Sequence, residues 1–310
     1  MIPSCIGRAG IPFFINLSRT AIRIRLSVNM KSNPMCFPKS GTRSGWWVAH
    51  GTIDGTLRLV KAFLHWLAGQ PGYKSRISYP DCEYFNNTRK SARIAHTAQP
   101  VAFPTMAQCA HAFQGMPNGT TFEKRDKALF AFLMLTGARI SATASLRLRH
   151  INLAEGHVYQ DAREVATKHA KTIDTWFFPV DEMYLECFKD WVAYLQKDLL
   201  FGPGDALFPK AEMGLAPSGG FQVMGLSREP YAQSTPLNAV IRKAFAQMQL
   251  PEFTPHSFRK TLVTYGDKIC PDRRSFKAWS MNLGHESEIT TVSSYLTVSK
   301  EAQRDLIRGM

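Results

Sequence analysis

Apolar residues recur at helical spacing along most of this chain and favour strands over only one short stretch. Such a repeat predicts an amphipathic helix over Ile53 to Leu67. The run from Ala128 to Leu135 is apolar on all sides, which is typical of a deeply buried helix. Between His150 and Val180, β-branched and aromatic residues favour a small antiparallel sheet. Phe201 to Arg228 is predicted to form loops. We therefore predict a mainly α-helical protein with a small antiparallel β-sheet, an α+β fold.

Capping residues indicate where several of these helices begin and end. Thr120 and Glu123 form a capping box ahead of the buried apolar run. Gly137 follows that run as a glycine able to adopt the left-handed conformation that ends many helices. A new helix is predicted to start at Ser141, so Arg139 is expected in a tight junction between two helices. Further helix starts are indicated at Asp181, at Thr235-Pro236 and at Pro255.

Composition divides the chain into three segments. Residues 1–45 form a basic extension, since the first 53 residues contain no Asp or Glu and seven Lys or Arg. This extension fits a targeting peptide, a disordered arm that touches phosphates, or translation from a start codon upstream of the true one, which we favour. Residues 46–99 are expected to form a partial helical region with a polar linker from Asn86 to Pro100, for which a surface loop is the alternative. Residues 100–310 are predicted to form the main domain.

The charge balance points to a polyanionic partner. The 310 residues carry a formal net charge of +14, which suits nucleic acid or an anionic membrane surface. No run of 18 apolar residues occurs, so a membrane-spanning helix is not expected. The six cysteines are scattered without a CxxC pair. This spacing disfavours a zinc site or a disulfide framework and favours a reducing cytosol.

Two arginines and a histidine suit the binding of a phosphodiester. His256 and Arg259 are three residues apart, so on a helix that starts at Pro255 their side chains share one face. The free N–H groups of a helix start also favour an anion. Arg139 stays charged at any relevant pH and, together with Arg259, can hold both non-bridging oxygens of one phosphate. Taken singly, each residue is as consistent with a salt bridge or a solvated helix end.

Attack on a bound phosphodiester also needs a proton donor and a nucleophile. Lys168 and Lys171 precede a predicted strand near a hairpin turn, where one of them can reach a leaving oxygen. They would face opposite ways in an extended strand, so at most one is expected to be catalytic. Tyr295, ten residues after His285, is the candidate nucleophile. A free phenol has a pKa near ~10, and a cationic cluster would stabilise its phenolate.

Three short motifs carry a resemblance to a known family. They are Thr136-Gly137-Ala138-Arg139, His256-Ser257-Phe258-Arg259 and Leu283-Gly284-His285. With Lys171 and Tyr295, their order and spacing resemble the tyrosine recombinases, or phage integrase family, over about Pro100 to Met310. The spacing from Lys171 to Pro179 resembles the family's lysine hairpin and favours Lys171 over Lys168. The resemblance implies a tyrosine-recombinase-like catalytic domain preceded by a partial helical core-binding domain.

The resemblance also implies a role for each matching residue. The two motif arginines would bind the scissile phosphate, and His285 would donate a hydrogen bond to it. His256 would assist proton transfer, and Lys171 would act as general acid towards the departing 5′ hydroxyl. Tyr295 would form a 3′-phosphotyrosyl link, which a 5′ hydroxyl of the partner strand then reverses. No metal or other cofactor is required.

Some features depart from the family pattern. The interval of ten residues between His285 and Tyr295 is one longer than is common, and Ala142 stands where an acidic residue is usual. The expected core-binding domain has several helices, whereas only Ile53 to Leu67 is a convincing helix in this region. That domain is therefore expected to be truncated.

The implied function is that of a site-specific DNA recombinase or integrase. Its expected partners are double-stranded DNA, three further copies in a homotetramer on paired sites, and accessory DNA-bending proteins. A bacterial or phage-encoded protein of the cytoplasm, associated with the nucleoid, is expected. One alternative is a type IB topoisomerase, which uses the same chemistry as a monomer. Another is a catalytically weak, DNA-binding relative. A membrane-surface protein is the remaining alternative and is disfavoured.

Overall fold

The protein divides into two compact units. In the computed structural model, which describes residues 49–97, 102–216, 219–284 and 307, these units are Met1–Ala98 and Gln99–Met310. None of the helices within the described ranges is both long and apolar enough to cross a lipid bilayer.

The N-terminal unit is helical in its described part. Its elements are α1 (His50–Ala68), α2 (Tyr79–Cys82), a 3₁₀ turn (Glu83–Phe85) and α3 (Arg89–His96). Helix α1 covers the amphipathic helix predicted from Ile53 to Leu67. Helix α3 lies inside the stretch predicted as a polar linker, so residues 89–96 of that stretch are helical instead. Thr88 caps α3 by accepting a hydrogen bond from Ser91 N at 3.2 Å.

A buried carboxylate joins α1 to α3. Asp54 on α1 is only 5% exposed. It accepts a hydrogen bond from Asn87 Nδ2 at 3.1 Å, and it pairs with Arg58 Nε at 3.1 Å and with His96 Nε2 at 3.5 Å. A buried charge is costly unless it is paired. Arg58 lies on α1 itself, so Asn87 and His96 are the contacts that link the segment around α3 to α1.

The C-terminal unit combines helices with two small antiparallel sheets. Its helices are α4 (Met106–Gln114), α5 (Thr121–Thr136), α6 (Ile140–Ser145), α7 (Glu182–Lys197), α8 (Thr235–Gln247), α9 (Pro255–Ile269) and α10 (Arg273–Asn282). Its strands are β1 (Ile151–Asn152), β2 (His157–Gln160), β3 (Ile173–Trp176), β4 (Ala211–Leu215) and β5 (Phe221–Leu226). Single 3₁₀ turns lie at Leu148–His150 and Lys168–Ala170. The α+β fold predicted from the sequence is confirmed.

The three-stranded sheet has the order β1–β2–β3, and both pairs of neighbours are antiparallel. It confirms the sheet predicted between His150 and Val180. Strand β2 pairs with β3 along its whole length, and Thr175 lies opposite Val158 on the buried face. On the same face Gln160 Nε2 donates to Thr175 Oγ1 at 3.0 Å. On the inner face of the sheet, β2 and β3 are therefore held together by packing and by a buried hydrogen bond.

The β4–β5 hairpin corrects the loops predicted over Phe201 to Arg228. Its register shifts between Glu212 and Met213, which marks a β-bulge. Its side chains are largely solvent-exposed, with Phe221 77% exposed. Because the hairpin has no face buried in a core, its sequence lacks the apolar–polar alternation by which strands are recognised.

Helix α5 lies at the centre of the core. Its residues 128–135 are all at most 2% exposed, which confirms the prediction of a deeply buried helix. The Phe130 ring meets Phe113 of α4, Phe245 of α8 and Phe258 of α9 at centroid distances of 5.9, 5.6 and 4.8 Å. Aromatic packing of this kind holds the middle of α5 against α4, α8 and α9.

Candidate active site

The junction between α5 and α6 places Arg139. Gly137 ends α5 with φ of 56°, and its N–H donates to Leu133 O at 2.9 Å. Arg139 is then the N-cap residue of α6, with extended backbone and a half-buried side chain. The tight junction predicted from the sequence is therefore present.

Arg259 connects the three sequence motifs. It lies on α9 and is 2% exposed. Its Nη1 donates to Gly137 O at 2.5 Å, and its Nη2 donates to Leu283 O at 2.7 Å. The buried guanidinium of Arg259 thus contacts the junction that carries Arg139 on one side and the start of the Leu283-Gly284-His285 motif on the other.

Close packing reinforces this meeting point. A Cβ atom on Gly137 would lie 2.5 Å from Leu283 Cδ2 and 3.0 Å from Leu262 Cδ1. Helix α10 is in turn held on α9, because Trp279 Nε1 donates to Leu262 O at 3.1 Å. The Trp279 ring also covers Gly266, where a Cβ would lie 2.5 Å from the ring. The motifs are therefore joined by tight packing as well as by Arg259.

His256 lies in the first turn of α9 with an exposed side chain. Neighbouring protein atoms still remove part of its hydration, and this desolvation lowers the pKa of the imidazole below its ordinary value. The positive charges of Arg259, Arg139 and Lys168 lower that pKa further. Exposed charges act over only about 10 Å at ordinary salt, so these four residues lie near one another. We call Arg139, Lys168, His256 and Arg259 the cationic cluster.

The residues 168–171, which we call the lysine segment, form a strained turn before β3. Both His169 and Ala170 adopt left-handed backbone conformations, with φ of 60° and 49°. Such conformations are disfavoured for side chains larger than glycine and persist only where the surroundings enforce them. Lys168 is exposed and Lys171 is half-buried. Lys171 lies two residues before Ile173, the first residue of β3.

Asn282 attaches the end of α10 to β3. Its side-chain amide accepts a hydrogen bond from Trp176 N at 2.7 Å and donates one to Trp176 O at 2.8 Å. Its main-chain oxygen accepts a bond from Thr175 Oγ1 at 3.2 Å. Asn282 carries no signal in the sequence, since a lone asparagine at the end of a helix has no pattern that points to a strand more than a hundred residues away.

Of the seven candidate residues, Arg139, His256, Arg259 and Lys168 form one cationic cluster, since the charges of the other three act on His256. Lys171 lies in the lysine segment but is not among the charges that act on His256. His285 and Tyr295 lie outside the described residues. Within the described part of the chain, no group of three or more His, Cys, Asp or Glu side chains is arranged to hold a metal ion. The cluster itself suits an anion with several oxygens, because it contains two guanidinium groups, which bind such oxygens in pairs.

Comparisons with known proteins agree with this geometry. Residues 106–302 match the model of the phage integrase family. The tyrosine recombinase XerD of Pasteurella multocida (strain Pm70) is 25% identical over 185 residues, which are 59% of this chain and 54% of that protein. The chain therefore spans about half the length of this curated relative.

Two solved structures share the fold. A λ integrase dimer bound to a core site matches with a TM-score of 0.50 at 14% identity, over 92% of this chain and 90% of that one. The Tn1549 transposon integrase in complex with a circular intermediate DNA matches with a TM-score of 0.51 at 14% identity, over 84% and 80%. The family match covers more than half of this chain and includes the α5–α6 junction, the lysine segment and α9. The chain therefore belongs to the phage integrase family.

Proposed function

We propose that this protein is a site-specific DNA recombinase or integrase that cuts and rejoins DNA through a 3′-phosphotyrosyl intermediate on Tyr295. The observation that carries the proposal is the double contact of Arg259 with Gly137 and Leu283. It gathers the three family motifs around one buried cation, beside the half-buried Arg139. Two permanently charged guanidinium groups stabilise the extra negative charge of a phosphoryl transition state. Membership of the phage integrase family supports the same chemistry.

In this proposal, strand cleavage is an in-line transfer of the phosphoryl group. Tyr295 Oη attacks phosphorus while the bond to the 5′ oxygen breaks, which leaves a 3′-phosphotyrosine. His256, neutral at pH 7, accepts the phenolic proton, and a lysine donates a proton to the leaving 5′ oxygen. Arg139 and Arg259 hold the non-bridging oxygens, and His285 donates a hydrogen bond to one of them. Attack by another 5′ hydroxyl reverses the steps.

Two lysines compete for the role of general acid. Spacing to Pro179 favours Lys171, which remains the prediction from the sequence. The charge of Lys168 contributes to the lowered pKa of His256, which supports a position within reach of the cationic cluster. Because both lie in the lysine segment, we assign proton donation to this segment. Substitution of each lysine tests which of the two is the general acid.

The proposed substrate is double-stranded DNA held by several copies of the chain. The integrase structures with this fold include a dimer bound to a core site and a complex with a circular intermediate DNA. A homotetramer on two paired sites is proposed because four strands must be cut and exchanged. Accessory DNA-bending proteins and a cytoplasmic, nucleoid-associated location belong to the same proposal.

Trapping of the covalent intermediate tests the proposal. The probe is a pool of randomised duplexes, each nicked so that the short fragment released by cleavage diffuses away and religation is blocked. We expect the wild-type chain to form a covalent protein–DNA adduct and the Tyr295→Phe variant to form none. Sequencing the DNA attached to Tyr295 would then identify the target site.

Other outcomes distinguish the alternatives. Relaxation of a supercoiled plasmid without a second site would favour a type IB topoisomerase over a recombinase. Binding of the duplex pool without any adduct would favour a DNA-binding relative and would overturn the proposed chemistry. Retention of Tyr295→Phe on DNA with wild-type affinity is the control that the variant is folded.

A further inference from the structure

We propose that Asn282 is a positioning residue that fixes the position of the lysine segment relative to the Leu283-Gly284-His285 motif. The inference rests on the proposed strand-transfer function and adds to that site a residue outside all three motifs. Asn282 immediately precedes Leu283, whose carbonyl receives the bond from Arg259. Asn282 therefore lies between Arg259 of the cationic cluster on one side and β3 on the other.

The side chain of Asn282 binds β3 as the backbone of a neighbouring strand would. It offers one acceptor to Trp176 N and one donor to Trp176 O, at 2.7 and 2.8 Å. A side-chain amide presents a donor and an acceptor side by side, which a carboxylate or a hydroxyl cannot do in the same geometry. With the Thr175 Oγ1 bond to its main-chain oxygen, Asn282 makes three hydrogen bonds to two consecutive residues of β3.

The residues on either side make this attachment rigid. Gly284 has φ of 74° and packs on β3 so closely that a Cβ would lie 2.8 Å from Ile173 Cδ1. Thr175 is buried and also accepts the bond from Gln160 Nε2 on β2 at 3.0 Å. Strand β3 is thus fixed to the end of α10 by hydrogen bonds at one end and by close packing at the other.

This attachment has a chemical consequence for the lysine segment. The segment runs directly into β3, so its position relative to Arg139 and Arg259 follows from the position of β3. Loss of the Asn282 amide removes two of the three hydrogen bonds that set this position. A displacement of about 1 Å in a catalytic group can slow a reaction on the order of 100-fold. Because the lysine segment is the catalytic segment that runs into β3, we expect proton donation to the leaving 5′ oxygen to be the step that is most impaired.

A sulfur substitution in the DNA separates these two effects. The probe is the duplex recovered with the wild-type chain, made once with the ordinary 5′ oxygen and once with a bridging 5′ sulfur at the scissile position. A thiol has a pKa near ~8.5 and leaves as a thiolate without a general acid. We expect Asn282→Ala to cleave the oxygen substrate about 10- to 100-fold more slowly than wild type. On the sulfur substrate it should cleave at close to the wild-type rate.

Two further variants act as controls. Asn152 Oδ1 also accepts two backbone hydrogen bonds, from Ala154 N at 3.1 Å and from Glu155 N at 3.2 Å, and Asn152→Ala removes both. It affects the turn after β1 in the same sheet and should leave both rates unchanged. Asn282→Asp keeps the acceptor for Trp176 N but places a carboxylate oxygen against Trp176 O in place of the donor. Two acceptors then face each other, so its rate on the oxygen substrate should fall at least as far as that of Asn282→Ala.

Each outcome decides a different question. Equal losses on both substrates would show a merely structural role for Asn282 and overturn the inference, and so would wild-type rates on both. If the wild-type chain forms no adduct with any duplex, the proposed function is overturned, and the positioning role that rests on it is overturned as well. Loss on the oxygen substrate alone, with Asn152→Ala active on both, supports the inference.

Discussion

At the scale of single residues, the neighbours of His256 determine the direction in which its pKa shifts. Desolvation and three nearby cations lower its pKa from the ordinary value of 6.5, so the folded protein favours the neutral ring. The unfolded chain therefore takes up a proton at a higher pH than the folded protein does. The contribution of His256 to stability is complete above about pH 6.5 and declines as the pH falls towards the folded pKa. A neutral ring at pH 7 is the form that can accept a proton.

Substitution of each lysine tests which one lies close to His256. Lys168→Ala removes a positive charge that opposes protonation of the imidazole, so the pKa of His256 should rise towards its ordinary value. Lys171→Ala should change that pKa less. NMR titration of the His256 ring in both variants gives the measurement. A larger rise in Lys171→Ala would contradict the assignment of Lys168 to the cluster and favour Lys171 as general acid.

Candidate site residues could be selected from the sequence more readily than the residues that support them. Motif order selected Arg139, His256 and Arg259 as candidates, because chemistry restricts which residue types can bind a phosphate. Asn282 and Thr175 were not identified, because their partners are distant in the sequence and an amide or a hydroxyl has many uses. Side chains that act through tertiary contacts leave no periodic signal.

At the scale of elements, the end of α5 shows how a backbone requirement places Arg139, a candidate phosphate-binding residue. Gly137→Ala puts a Cβ at φ of 56° and within 2.5 Å of Leu283 Cδ2. The left-handed conformation and the overpacking should together lower the free energy of unfolding by about 2 to 5 kcal/mol. Urea unfolding measures this change.

A second glycine provides the control for this substitution. Gly204→Ala adds a Cβ with no atom within 4 Å and no positive φ, so the free energy of unfolding should change by less than about 0.5 kcal/mol. A loss in Gly137→Ala no greater than in Gly204→Ala would show that the α5–α6 junction tolerates a side chain.

Elements with one buried face were predicted, and elements without one were not. Residues 128–135 and the sheet between His150 and Val180 have apolar patterns that match their periods. The β4–β5 hairpin is exposed on both sides, and α3 is a short basic helix without a buried residue. Periodicity reports burial and not hydrogen bonding, so both elements were predicted as loop or linker.

At the scale of the whole molecule, the net charge of +14 predicts binding of DNA that weakens steeply with salt. Each phosphate neutralised by a Lys or Arg releases condensed counterions. The logarithm of the association constant therefore falls with the logarithm of salt concentration by about 0.9 for each such contact. Arg139 should make one of these contacts, because it lies in the cationic cluster proposed to hold the scissile phosphate. We expect Arg139→Ala to reduce this slope by about 1.

Arg163 provides the matched control, since its substitution by alanine lowers the net charge by the same amount. Its guanidinium is already paired with Asp161, at 3.0 Å from Nε to Oδ1 and 2.6 Å from Nη2 to Oδ2. Arg163→Ala should therefore leave the slope unchanged. Fluorescence anisotropy of a labelled duplex over a range of salt concentrations measures the slopes. Equal slopes for wild type and Arg139→Ala would remove Arg139 from the phosphate contacts. Equal reductions in both variants would show that net charge, and not the cationic cluster, sets the affinity.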